Sequence, residues 1–113
     1  MKMKNFTPET YVTLLAEDVR VGDRFLLKKE VDNRYDDEAI LAFDVTGSED
    51  YASNETPYDD ISCYVANSVK TVAKGTFSAG RIYDKFENAL LVEAKFVLRD
   101  SAICLVLKEI IEN

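Results

Sequence analysis

Apolar residues in this chain come in short runs cut off by turn-forming residues, and no run is longer than a β-strand. Runs such as Ala89–Val92 and Ala102–Leu107 fall far short of the ~20 residues a membrane-spanning helix needs. Within and around these runs, β-branched and aromatic residues favour extended backbone. Tyr11, Thr13 and Leu15 alternate with Val12, Leu14 and Ala16. Thr7-Pro8-Glu9 before them would also suit a helix start, but the alternation favours a strand. Val21-Gly22-Asp23 reads as a turn. Arg24–Lys29 reads as the next strand, with Phe25 and Leu27 on one face and Leu26 on the other. Ala39–Val45 is nearly continuous in apolar residues, which predicts a strand buried on both faces. Ile61–Val65, Ser78–Phe86, Ala89–Leu98 and Ala102–Lys108 read as further strands. Glu87-Asn88 and Arg99-Asp100-Ser101 are the expected hairpin turns. Asn67 or Ser68 can cap a short helix over Ser68–Lys74, which Gly75 would end. Residues Glu109–Asn113 are expected to fray or form a short helix.

Seven such runs in 113 residues leave room for one domain. They are enough for a small, mainly β fold: an OB-like six-stranded β-barrel with one short α-helix. Closure removes the exposed edges that so many short strands would otherwise present. The domain is expected to span 1–113, with its core at about 10–108 and a long acidic loop at 46–60.

The composition excludes much chemistry. There is no histidine, so His-based triads, His-containing zinc sites and imidazole switches are ruled out. Cys63 and Cys104 are too few for a Cys-only zinc site and too far apart for a CxxC pair. No Gly-rich phosphate loop, HExxH or nucleophile elbow occurs. A non-catalytic protein without cofactor is expected. Asp32, Asp36 and Glu38 lack the ordered spacing and central glycine of an EF-hand, so no metal is expected. The N-terminal Met1-Lys2-Met3-Lys4 is basic, but no apolar segment of signal-peptide length follows. The expected setting is the cytoplasm, with reduced thiols and no membrane partner.

The net charge of −7 is unevenly spread. Residues 30–60 hold eleven acids and one base, Arg34; elsewhere thirteen bases face ten acids. A pI near 4.6 argues against tight, sequence-blind binding of duplex DNA, where neutralised phosphates dominate affinity. It leaves room for a small local site. Two basic clusters remain: Arg20, Arg24, Lys28 and Lys29, and Lys70, Lys74, Arg81 and Lys85. The polar loop Asp32-Asn33-Arg34-Tyr35-Asp36 places a tyrosine beside carboxylates directly before an apolar strand. A tyrosine there can stack on a base, a contact worth roughly 1–3 kcal/mol. An adjacent carboxylate can accept from a sugar hydroxyl while repelling a phosphate.

The run from Gly22 to Ile40 resembles the HIRAN domain. Gly22-Asp23, the alternating Phe25 and Leu27, Glu30, and Asn33-Arg34-Tyr35-Asp36 before Ala39-Ile40 keep the order and spacing of its signature. Ile61–Val65 resembles the family's following strand, and Ala66–Gly75 its short helix. The likeness extends over about residues 10–108. HIRAN domains are modified OB-like barrels, found alone or fused to helicase and nuclease modules, and the eukaryotic form captures the 3′-hydroxyl end of single-stranded DNA. The resemblance implies a single-stranded DNA end as partner, with Asn33, Tyr35 and Asp36 gripping the terminal nucleotide. Tyr64 matches a DNA-contacting histidine of the eukaryotic form. Asn67 falls near a basic position there, for which Lys70 is a candidate substitute, and Phe86 is the candidate for a stacking aromatic. Arg34 stands where the family has proline, and Cys63 where it has glycine. The alternative reading is a protein-interaction module whose acidic 46–60 loop, with Tyr51 and Tyr58, contacts a basic partner; a fused helicase or nuclease module is another possible partner.

Overall fold

Alternation along Arg24–Lys29 divides its side chains between two apolar clusters. Phe25 and Leu27 enter a large interior core, and Leu26 enters a smaller cluster on the other face. The computed structural model describes residues 2–4, 10–30, 38–47, 63–68 and 70–111. Its strands are β1 (Lys2–Lys4), β2 (Tyr11–Leu15), β3 (Arg24–Lys29), β4 (Ile40–Asp44), β5 (Cys63–Val65), β6 (Ala89–Val97) and β7 (Ala102–Ile111). A short helix α1 (Ala79–Ile82) and a 3-10 turn (Tyr83–Lys85) lie between β5 and β6.

Strands β7, β2, β5, β4, β3 and β6 pair in that order, all antiparallel, and β6 pairs back to β7. The result is a closed six-stranded barrel with one short helix. Every second residue points inward: Val12 and Leu14, Ile40 and Ala42, Cys63 and Val65, Leu90, Val92 and Ala94, and Ala102, Cys104 and Val106. Each fully buried Val or Leu side chain contributes about 1.5–3 kcal/mol. Burial pushes the Cys63 and Cys104 thiols up to about 12, so both remain protonated.

Four segments differ from the sequence expectation. Ser78–Phe86 is not a strand. Ser78 caps α1, its Oγ accepting from Arg81 N at 3.3 Å. Ala79, Ile82 and Phe86 follow helical spacing and pack into the barrel core. Glu87 and Asn88 are consequently not a hairpin. Glu87 N donates to Glu109 Oε2, and Asn88 Nδ2 donates to the Ile110 carbonyl.

The helix expected over Ser68–Lys74 stops after one turn, in which Thr71 N and Val72 N both donate to the Ser68 carbonyl. Thr13, inside the fold at 1% exposure, interrupts it. Its Oγ1 accepts from Ala73 N at 3.1 Å, replacing the next helical bond. Thr76 Oγ1 donates to the Ala73 carbonyl at 2.7 Å and lies 2.9 Å from Thr13 Oγ1. Each hydroxyl has one proton, so Thr13 donates to Thr76. This chain ties the 68–76 segment to β2 across about sixty residues of sequence. Finally, residues 109–111 are strand: β7 continues through Ile111, and β1 pairs with Glu109–Ile111.

Candidate functional site

Strand register builds one surface feature. Leu15 pairs with Tyr64, Tyr64 with Leu41, and Leu41 with Lys28. These four residues form a row across β2, β5, β4 and β3. Cys63 and Val65 point into the core, so Tyr64 points out and is 40% exposed. Its hydroxyl donates to both carboxylate oxygens of Glu30 at 3.3 Å. Partial desolvation, then the charge of Glu30 and this hydrogen bond, hold the phenol above its ordinary pKa.

Beyond the end of β5, the chain forms a cleft of about 320 Å³. Asn67, Lys74, Thr76, Ser78 and Arg81 supply its polar lining. The Asn67 side chain is committed: Oδ1 accepts from Gly80 N at 2.8 Å. A Cβ at Gly80 would stand 2.6 Å from Oε1 of the exposed Glu38 side chain and 3.1 Å from Asn67 Oδ1. The Arg81 guanidinium lies 4.3 Å from the Phe77 ring centre, and Lys85 reaches the same ring at 5.7 Å. Lys29 lies over Tyr83 and Phe86 at 4.6 and 4.9 Å. Such contacts hold a cation without neutralising it. Among the described residues, no carboxylate lines the cleft, and Lys74 and Arg81 form no ion pair.

The two basic clusters of the sequence therefore part company. Lys74, Arg81 and Lys85 gather around the cleft and Phe77. Arg24 turns to Glu93, with Nε 3.1 Å from Oε1. Lys95 also bonds Glu93, and these partners hold its carboxyl below the usual range.

Of the residues expected to form a site, Tyr64 is on the outer row and Asn67 lines the cleft. Lys70 is exposed on the intervening turn. Phe86 is a correction: at 2% exposure its ring belongs to the core and offers no face for stacking. Asn33, Tyr35 and Asp36 lie outside the described residues, as does the acidic loop beyond Gly47. Phe77 and Tyr83 were not expected. Their signal was present in Lys74, Phe77, Arg81 and Lys85, basic and aromatic residues spaced three to four apart.

The chain matches no protein-family model, no curated protein and no solved structure.

Proposed function

We propose that this barrel is a non-catalytic module that binds the 3′ end of single-stranded DNA. The observation that carries the reading is the cleft lined by Lys74 and Arg81, with no carboxylate lining it among the described residues. Two cations on one cleft favour an anionic ligand. Phosphates of the strand lie against Lys74 and Arg81. Tyr64 offers an aromatic face on the neighbouring outer row, three residues before Asn67, or about 10 Å along an extended chain. OB-type barrels support such binding on strand faces and adjoining loops. In keeping with the HIRAN resemblance, Asn33, Tyr35 and Asp36 receive the last nucleotide. The Asp36 carboxylate accepts from a free 3′-hydroxyl and repels a 3′-phosphate.

Fluorescence anisotropy with a short labelled oligonucleotide and its 3′-phosphorylated twin tests this. Tighter binding of the hydroxyl form is expected. Equal affinity for the two removes end recognition, and no binding of either at low salt removes the function.

A further inference from the structure

We propose that a second nucleotide subsite lies across the Lys74–Thr76 turn from the first cleft, where Phe96 stacks the base of the adjoining nucleotide. The inference rests on the nucleic-acid reading above and extends it from an end receptor to a path for the strand. A second cleft, of about 180 Å³, opens among Tyr11, Phe96 and Ile103, with Lys74, Gly75 and Thr76 along its side. The same three residues, Lys74–Thr76, line the first cleft. One turn therefore separates the two, and its terminal Cα atoms are at most about 8 Å apart. Lys74 serves both sides, the place for a phosphate that links two nucleotides.

The orientation of Phe96 is the second observation. Leu90, Val92 and Ala94 point into the barrel, so alternation would send Phe96 inward as well. Instead the ring is 60% exposed. The register between β6 and β7 slips between Ala94 and Phe96: Ala94 pairs with Cys104 and Phe96 with Ile103. This bulge inserts Lys95 and turns Phe96 to the outer face. Bulges that redirect a side chain in this way gather beside binding sites. Ile103, whose strand neighbours Ala102 and Cys104 are buried, shares that outer face. The second cleft is thus an aromatic and aliphatic floor beside a lysine, and no carboxylate lines it among the described residues. A π-face next to a cation suits a base and its phosphate, whatever the base identity.

The test uses the full chain with 5′-fluorescein-labelled thymidylates of one, two and four nucleotides, all with free 3′-hydroxyls. The unmodified protein is expected to bind the dimer more tightly than the mononucleotide. Phe96→Ala should bind the mononucleotide normally and lose most of that gain, on the order of tenfold for one stacked base. Phe96→Tyr should restore it. If Phe96→Ala keeps the full gain, the subsite is overturned while end binding stands. A loss that is equal for all lengths also overturns it. If Phe96→Ala keeps the gain but changes the protein's oligomeric state, the face is a contact between copies and the proposal falls. If the unmodified chain binds no oligonucleotide, this inference and the function fail together.

Discussion

Arg24 and Arg81 are both exposed arginines, and they are put to opposite uses. Arg24 lies on the barrel wall, its Nε 3.1 Å from Glu93, in a triad completed by Lys95. Arg81 sits on the short helix that packs into the core, laid over Phe77 at 4.3 Å beside a cleft that no carboxylate lines among the described residues. A carboxylate partner cancels a cation, whereas an aromatic ring orients it and leaves its charge available. The first region therefore stabilises the barrel and the second presents charge. In an acidic protein, the partner of a base says more about binding than the number of bases.

The comparison can be broken most forcefully at the support of Arg81. Ile82 is the fully buried last residue of α1. Ile82→Ala is expected to lower stability by about 2–5 kcal/mol in urea denaturation and to weaken oligonucleotide binding as well. Unchanged stability would mean that α1 is not part of the core. Next is the tie between β2 and the 68–76 segment. Thr13→Val leaves Ala73 N without its acceptor, at about 1–3 kcal/mol. Faster hydrogen exchange should appear at Ala73 and through the 70–76 turn, and protection equal to the parent would contradict the hydroxyl chain.

Charge reversal then separates the two arginines directly. Arg81→Glu is expected to weaken binding of a short 3′-hydroxyl oligonucleotide at least tenfold, about 1.4 kcal/mol. Arg24→Glu should leave that affinity within about twofold of the parent, less than 0.5 kcal/mol. Equal losses would erase the distinction. The smallest effect is on the wall. The folded-state pKa of Glu93 is lowered, first by Lys95 and then by Arg24. Its contribution to stability is therefore present at neutral pH and lost as pH falls through the carboxylate range. At this exposure it amounts to less than about 1 kcal/mol. Arg24→Ala should flatten the acid limb of the stability–pH curve slightly, and a steeper limb would show that the triad is not stabilising.

The barrel was legible in the sequence because period-two alternation is local: Phe25, Leu26 and Leu27 divide between faces as their spacing requires. The outward position of Tyr64 between Cys63 and Val65 was legible for the same reason. The interrupted helix was not. Ser68–Gly75 has a credible cap and stop, but its next hydrogen bond is taken by Thr13, a residue distant in sequence. The position of α1 could have been found, since Ser78 is a good cap and Ala79, Ile82 and Phe86 share a helical face. That spacing also accounts for Phe86, whose place on the inward face removes it from any binding surface. The outward turn of Phe96 depends on a bulge that only pairing with β7 reveals. The clustering of Lys74 and Arg81 depends on where α1 docks.

The central claim is that Lys74 and Arg81 meet the phosphates of an unpaired strand. The salt dependence of oligonucleotide affinity, compared between the parent and Lys74→Ala/Arg81→Ala, tests it most directly. Each phosphate neutralised on a single strand adds about −0.7 to the slope of log K against log salt. The parent slope is expected to exceed that of the double variant by about 1.4. Identical slopes in two folded proteins would contradict the claim.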